Sequence, residues 1–219
     1  MENALVSDFD GTITRRDFYA LIADRYIPRS EPDYLELYRA GKLSHFDAMA
    51  SYFAHAPADE ASLAALLKDT EPDPEFQPAV ARLHEASWDL IIVSAGSSWY
   101  IDRILAARGV NAAVHSTPGR VLAGRGLVIE KPLCSPFLSE EVGVDKAAVV
   151  RDALGRYKRV AFAGDGPPDV APALLVEPEL RFARDYLARE LQRRGEVFRP
   201  FERWSDVVRA IERLAQRPR

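Results

Sequence analysis

Three short apolar runs in this 219-residue sequence each end at residues that suit a phosphate or a metal ion. The runs occupy residues 4–6, 90–93 and 159–163, and segments with helical spacing of apolar residues lie between them. Strands that alternate with helices predict a parallel sheet with right-handed connections. Ligands of such sheets bind at the carboxyl ends of the strands. We therefore expect an α/β fold, a Rossmann-like parallel sheet flanked by helices, with its functional site at the strand ends.

The first apolar run leads into the sequence SDFDGT, residues 7–12. Side chains alternate along extended backbone, so Asp8 and Asp10 point to the same side. Two converging carboxylates must share a proton or a cation; with Mg²⁺ between them and a phosphate, one acts as a nucleophile and the other exchanges protons. Gly11 permits a turn whose N–H groups meet phosphate oxygens. The alternative for the triplet alone is an ordinary polar loop.

The second run ends at Ser94, Ala95 and Gly96, just before a predicted helix at 98–108. A hydroxyl and two backbone N–H groups at this position suit an anion, although serine-rich turns also cap helices without any ligand. Lys146 stands in the first turn of another predicted helix, where the helix dipole disfavours a cation. This suggests phosphate binding, with a solvated surface lysine as the alternative.

The third run ends in the sequence GDGPPD, residues 164–169. Its two carboxylates, Asp165 and Asp169, stand four residues apart around a Gly-Pro-Pro turn. This spacing directs Asp165 toward a hard cation and Asp169 toward a neighbouring cation or lysine. The alternative is a turn followed by a helix that Asp169 caps.

The spacing of apolar residues divides the chain into two parts. We predict a small helical cap over residues 15–73, inserted after the first strand and closed by Pro72 and Pro74. Residues 1–14 and 74–219 then form the core, with a β-hairpin excursion near 114–130. An amphipathic helix at 204–214 is expected to pack on the sheet.

Composition and net charge restrict the classes of partner that we expect this chain to bind. The net charge of −4 leaves no basic surplus for nucleic acid or an anionic membrane. No apolar run reaches the ~18 residues typical of a membrane span, and no signal segment is evident. The single cysteine, Cys134, excludes an intrachain disulfide, and we expect it to be buried in a cytoplasmic protein. Oligomeric state stays open between monomer and homodimer.

Taken in order, the acid pair, Ser-x-Gly, lysine and Gly-Asp-x-x-x-Asp resemble the haloacid dehalogenase-like phosphatase superfamily over the whole chain. The helical insertion resembles the cap of its phosphoserine-phosphatase-like branch. This resemblance implies an aspartyl-phosphate on Asp8 and a general acid and base at Asp10. Ser94 and Lys146 match phosphate ligands. Asp8, the carbonyl of Asp10, and Asp165 match ligands of Mg²⁺, and Asp169 matches the acid that orients Lys146 or a metal-bound water.

A closer resemblance concerns the substrate, which we expect to be a small phosphorylated metabolite. The opening motif followed by Asp17, the hairpin and the tail are similar to a bacterial group that includes 2-hydroxy-3-keto-5-methylthiopentenyl-1-phosphate phosphatases of methionine salvage. That group often has a Cys-Gly-x-Cys-Lys segment, whereas this chain has VGVDK at 142–146. Asp17 matches an acid that faces the substrate, or it is a helix N-terminal residue favoured by the dipole.

Alternative functions remain open at this point. Phosphoserine phosphatase is the alternative within enzymes, with Arg25, Arg29 or Arg39 as a carboxylate clamp. A catalytically silent domain that binds a phosphorylated ligand is the alternative from another class. The cap aromatics either line an apolar pocket or form the core of the cap; they are Tyr19, Tyr26, Tyr34, Tyr38, Phe46, Tyr52 and Phe53. His45 and His55 are expected to be structural or solvated.

Overall fold

The computed structural model describes residues 1–215 and contains a six-stranded parallel sheet. Its strands span β1 Asn3–Ser7, β2 Trp88–Ser97, β3 Ala113–Thr117, β8 Arg159–Gly164, β9 Arg181–Ala183 and β10 Arg199–Pro200. Their order in the sheet is β10-β9-β8-β1-β2-β3. The predicted parallel α/β fold is confirmed. The central strand β1 lies between β2 and β8, so the ends of all three predicted apolar runs lie side by side.

Helices cover both faces of this sheet. Alternate residues of β1 take part in two separate apolar clusters, with Leu5 in one and Ala4 and Val6 in the other. The first cluster includes residues of α5 Phe76–Glu85, α6 Ser98–Ala107 and α10 Trp204–Ala215. The second includes residues of α7 Lys146–Arg156 and α9 Asp185–Arg193, and the short helix α8 Val170–Ala173 lies beside α7. The amphipathic C-terminal helix packs against α5, and the Trp204 indole N–H donates to the Ser7 hydroxyl over 3.0 Å.

Four helices, which we term the cap helices, lie between β1 and α5. They span α1 Phe18–Tyr26, α2 Tyr34–Arg39, α3 His45–Phe53 and α4 Glu60–Asp69. Asp33, Ser44 and Asp59 accept hydrogen bonds from the first turns of α2, α3 and α4, which explains where these helices begin. The chain enters and leaves this region side by side, since Thr14 forms a β-bridge with Pro72. The exact division into core and cap stays a prediction.

The segment expected to be a hairpin is divided between two structures. Residues Ala113–Thr117 form β3 at the edge of the main sheet, and the hairpin itself consists of β4 Gly119–Leu122 and β5 Gly126–Ile129. Gly126 lies against the end of cap helix α3. The contact is so close that a Cβ at this position would lie 2.4 Å from the Ala54 carbonyl oxygen. A second small ribbon pairs β6 Leu138–Ser139 with β7 Gly143–Val144. The Phe46 N–H donates to the Glu141 carbonyl between these strands, so α3 contacts both ribbons.

The single cysteine, Cys134, is exposed, because it lies in the irregular segment between β5 and β6. The prediction that it is buried is therefore wrong. Among the helices of residues 1–215, none combines the length and the apolar character that crossing a bilayer requires.

Candidate active site

A cavity of about 430 Å³ lies between the carboxyl ends of the central strands and the cap helices. We call its core side the cavity floor, formed by Asp8, Asp10, Ser94, Lys146, Asp165 and Asp169. We call its cap side the cavity roof, formed by Tyr19, Leu35, Tyr38, Arg39, His45, Met49 and Phe53. Asp17 also lines the cavity, as do Ala95 and Gly96. Candidate site residues from four separate stretches of the sequence thus line one cavity.

Lys146 lies between two carboxylates at the cavity floor. Its ammonium nitrogen is 2.7 Å from Asp8 Oδ1 and 2.6 Å from Asp169 Oδ1. The other oxygen of Asp169 accepts the N–H groups of Asp165 and Gly166 over 3.0 and 2.9 Å. Burial lowers the pKa of Lys146, but the charges of Asp169 and Asp8 outweigh burial and raise it above its usual value. The lysine is therefore a fixed cation rather than a solvated surface group.

Asp165 and Asp8 form the part of the floor that suits a metal ion. Oxygen atoms of Asp8, Asp165 and Asp169 lie within 4.8 Å of one another. The Thr12 hydroxyl donates to Asp165 Oδ1 over 3.0 Å, a contact that the sequence did not predict. Burial, with the charge of Asp169, raises the pKa of Asp8 well above its usual range and that of Asp165 to about 6. The buried Asp8 and Asp169 and the partly buried Asp165 have one ammonium group near them, so a further cation would favour ionisation of all three.

The donor set fits a hard divalent cation. Carboxylate oxygens are the ligands that Mg²⁺ takes in proteins, and Asp8 and Asp165 supply them from adjacent strand ends. Asp169 already accepts three hydrogen bonds, so Asp8 and Asp165 are better placed than Asp169 to bind a metal ion. Gly11 has φ of +70°, and a Cβ there would lie 2.4 Å from Asp165 Oδ2. A side chain at position 11 would therefore collide with the acid that the turn brings into place.

The carboxyl group of Asp10 has a separate set of partners. The Phe18 backbone N–H donates to Oδ1 over 3.1 Å, and the Ser94 hydroxyl donates to Oδ2 over 3.3 Å. The Tyr100 hydroxyl also donates to Oδ2. Burial raises the pKa of Asp10, although these hydrogen bonds partly oppose the effect. Tyr100 lies in the first turn of α6, and no sequence pattern indicated its contact with Asp10.

The second apolar run differs in detail from the expectation. The strand continues to Ser97, and helix α6 begins at Ser98. Ser97, not Ser94, caps that helix, since its hydroxyl accepts the Trp99 N–H over 3.3 Å. The Ser94 hydroxyl instead faces Asp10 and accepts the Gly96 N–H over 2.9 Å. Ser94 therefore does not cap this helix. The Gly96 N–H, which we expected to bind an anion, donates a hydrogen bond to the Ser94 hydroxyl oxygen instead.

Asp17 faces the cavity rather than the end of its helix. It occupies the position that precedes α1, and its carbonyl accepts the Leu21 N–H over 3.2 Å, but its side chain makes no capping hydrogen bond to the helix. Burial, followed by the charges of Asp10 and Asp165, raises the pKa of Asp17 to about 7. A Cβ on Gly11 would lie 2.9 Å from Asp17 Oδ1, which places this carboxyl beside the opening turn.

The roof carries two basic groups among apolar and aromatic side chains. Arg39 lines the cavity, whereas Arg25 pairs with Asp69 on the surface and Arg29 is exposed. The His45 Nδ1 atom is buried and has no hydrogen-bond partner within residues 1–215. Burial, with the charge of Lys146, lowers the pKa of His45 to about 4, so its ring is neutral at pH 7. Of the seven cap aromatics, Tyr19, Tyr38 and Phe53 line the cavity.

Comparison with known proteins agrees with this fold. Residues 5–174 match the haloacid dehalogenase-like hydrolase family. The chain therefore belongs to that family, whose members include metal-dependent hydrolases.

The names of similar curated proteins specify individual enzymes. The bifunctional enzyme MtnB/MtnX of Bacillus licheniformis is 27% identical over 215 residues, which are 97% of this chain and 50% of that enzyme. The chain thus spans about half the length of this relative. The 2-hydroxy-3-keto-5-methylthiopentenyl-1-phosphate phosphatase of Bacillus velezensis is 25% identical over 97% of this chain and 91% of its own. A substrate-bound phosphoserine phosphatase has the same fold, with a TM-score of 0.67, 14% identity, and coverage of 95% of this chain and 98% of its own.

Proposed function

We propose that this protein is a Mg²⁺-dependent phosphomonoester hydrolase that forms an aspartyl-phosphate on Asp8. One observation carries the proposal: the Asp8 carboxylate contacts the Lys146 ammonium and lies within 4.8 Å of an Asp165 oxygen, and Asp10 lines the same cavity. A phosphoryl transfer needs an in-line nucleophile, positive charge near the phosphate oxygens and a proton for the leaving group. These residues offer each of the three.

In the first step, an oxygen of Asp8 attacks phosphorus while Asp10 protonates the ester oxygen that leaves. Lys146, the Ser94 hydroxyl and the Ala95 N–H bind phosphate oxygens, whereas the Gly11 N–H donates to the Thr14 hydroxyl oxygen over 3.3 Å. The Gly96 N–H contributes by holding the serine oxygen. Asp8, Asp165 and the main-chain carbonyl of Asp10 would hold Mg²⁺, which would supply further positive charge for the phosphate. Asp169 keeps Lys146 in position.

In the second step, Asp10 takes a proton from a water molecule that attacks phosphorus, and Asp8 is released. The same carboxyl group thus acts first as an acid and then as a base. The cap helices above the cavity exclude other water while the first ester bond breaks. Two displacements replace one difficult hydrolysis, which is the advantage of a carboxylate nucleophile.

For the substrate, we propose 2-hydroxy-3-keto-5-methylthiopentenyl-1-phosphate of methionine salvage. The names of the relatives support it, and so does the roof, where Leu35, Met49 and Phe53 offer an apolar surface for a methylthio group. Phosphoserine is the second candidate, because Arg39 at the roof provides a cation for a substrate carboxylate. Asp17 then faces the polar part of either substrate.

The remaining proposals concern organisation. We propose residues 15–73 as a cap on a core of residues 1–14 and 74–219, and the bridge between Thr14 and Pro72 supports this boundary. We further propose a cytoplasmic monomer or homodimer without a nucleic-acid or membrane partner, on the basis of composition alone.

The test is phosphate release from a panel of phosphorylated metabolites, including phosphoserine and the methionine-salvage ester. Asp8→Asn should lower kcat by about 10³-fold or more, because the nucleophile is lost. Asp152→Asn is the matched control, since this aspartate pairs with Arg156 on the surface of α7, and it should retain full activity. The preferred ester identifies the substrate.

Acid quenching during turnover should trap one phosphoryl group on the peptide that contains Asp8. Removal of Mg²⁺ by a chelator should abolish turnover, and added Mg²⁺ should restore it. A folded parent protein that binds esters with Mg²⁺ but releases no phosphate would contradict the proposal and favour the silent binding domain.

A further inference from the structure

We propose that Tyr100 is a positioning residue for Asp10: it holds one carboxyl oxygen so that the other delivers the proton to the leaving group. This inference rests on the proposed function, in which Asp10 is the acid of the first step and the base of the second. Tyr100 lies on α6 and is 1% exposed, so solvent does not compete for its hydroxyl.

The hydrogen bonds of Asp10 distinguish its two oxygens. Tyr100 and Ser94 both donate hydroxyl hydrogens to Oδ2, and the Phe18 N–H donates to Oδ1. A carboxylate has about two lone-pair positions on each oxygen. Both positions of Oδ2 are therefore filled, whereas Oδ1 keeps one free. The geometry assigns the transferable proton to Oδ1.

Substrate binding makes Tyr100 more important. In the proposed function the Ser94 hydroxyl binds a phosphate oxygen, so it turns away from Asp10. Among the hydrogen bonds within residues 1–215, only the one from Tyr100 then remains on Oδ2. Without it, the carboxyl group can rotate about its Cβ–Cγ bond and exchange the roles of its two oxygens.

The Tyr100 ring is fixed by aromatic neighbours from both parts of the protein. It stacks on Phe18 with centroids 4.4 Å apart and planes inclined by 21°. Phe53 lies 6.1 Å away and Phe9 lies 6.2 Å away. Gly96 leaves room for the hydroxyl, because a Cβ there would lie 1.7 Å from the phenol oxygen. The hydroxyl is thus held at Asp10 by packing as well as by its own hydrogen bond.

The proton balance leaves Tyr100 unchanged. In the first step the Asp8 oxygen bonds to phosphorus, and the ester P–O bond breaks. Its electron pair stays on the ester oxygen, which takes the proton from Oδ1 of Asp10. In the second step the water oxygen bonds to phosphorus, its proton goes to Oδ1, and the bond from Asp8 breaks. Tyr100 donates a hydrogen bond throughout and transfers no proton.

The test compares Tyr100→Phe with the parent protein on two kinds of ester. An alkyl phosphate, such as glycerol phosphate, has a poor leaving group that needs the proton, whereas p-nitrophenyl phosphate needs little proton transfer. We expect kcat for the alkyl ester to fall by about 10-fold or more, with an unchanged KM, because general acid catalysis contributes about 10²–10⁴-fold. The aryl ester should lose much less. Tyr157→Phe, which removes a hydroxyl bound to Asp89 outside the cavity, is the matched control.

Asp10→Asn should show the same dependence on the leaving group, and adding Tyr100→Phe to it should cause no further loss. Thermal unfolding of each variant reports whether the aromatic packing is intact. Equal losses on both esters, or no loss, would overturn the role of Tyr100 while leaving the proposed function in place. Failure of the parent to hydrolyse either ester would overturn the proposed function and this role together.

Discussion

The floor and the roof of the cavity are built on opposite principles. At the floor, each charged group already has partners: Lys146 contacts Asp8 and Asp169, and Thr12 contacts Asp165. At the roof, the exposed Arg39 guanidinium forms no hydrogen bond or ion pair within residues 1–215. His45 Nδ1 also lacks one there. The charged groups of the floor thus hold one another in place, whereas Arg39 and His45 at the roof keep hydrogen-bonding atoms that a substrate can engage.

The largest effect should come from removing the cation of the floor. Lys146→Met leaves Asp8 and Asp169 buried without their shared partner, which typically costs about 3–5 kcal/mol in the free energy of unfolding. Urea unfolding at pH 8 without metal measures this loss, and activity should vanish with it.

Lys158→Met is the control for that substitution. This lysine pairs with Glu2 at the exposed start of the sheet, and its loss should leave stability and activity unchanged. Equal stability of both variants would show that the floor is not held together by its charges.

A smaller and more selective effect is expected at the roof. Arg39→Met should lower kcat/KM for esters that carry a carboxylate by about 10-fold or more, since hydrogen bonds to charged groups contribute about 1.5–3 kcal/mol. Esters without a carboxylate should change little, and unfolding should be unaffected because Arg39 is exposed.

The matched control is Arg25→Met, which breaks a surface pair with Asp69 and should alter neither class of ester. If Arg39→Met affects both classes equally, the roof does not select the substrate by charge.

The effect of Asp17 on stability depends on pH. Its pKa is raised from its usual value of 3.8 to about 7, so the folded protein binds more protons than the unfolded chain between these values. Stability is therefore highest below pH 3.8, as far as this group is concerned, and falls as the pH rises through 7. Asp17→Asn should raise the Tm of the metal-free protein at pH 8 and leave it unchanged near pH 4.

A shift of about 2–4 °C corresponds to each 1 kcal/mol for a protein of this size. Asp24→Asn, on the exposed face of α1, should show no such dependence on pH. A Tm difference that is the same at pH 4 and pH 8 would show that the carboxyl group of Asp17 is not destabilised by burial.

The floor could be predicted because its determinants are local in sequence. Asp8 and Asp10 follow one strand, Asp165 follows another, and parallel strands bring their ends to one edge. The strand at Ala113–Thr117 was less clear, since its place depends on pairing with β2, which no local pattern encodes. The continuation of β2 to Ser97 likewise depends on β3, and it moved the helix cap from Ser94 to Ser97.

The roof could not be predicted in the same way. Arg25, Arg29 and Arg39 are equivalent by composition, and only the packing of α1–α4 brings Arg39 to the cavity. Tyr100 reaches Asp10 because Gly96 has no side chain that would collide with the Tyr100 hydroxyl. Both Gly96 and Tyr100 are at least 86 positions from Asp10 in the sequence, so no local pattern indicates this contact. Contacts of this kind depend on tertiary packing rather than on periodicity.

The contact between Gly126 and Ala54 has a practical meaning for protein engineering. The hairpin β4-β5 supports cap helix α3 from below, and Glu141 binds the backbone of the same helix. If residues 15–73 alone were exchanged between relatives, helix α3 would contact a hairpin and a turn from the other protein. The transplantable unit includes the hairpin and the turn at Glu141, so a chimera that moves all three should retain a cavity that the simpler exchange would lose.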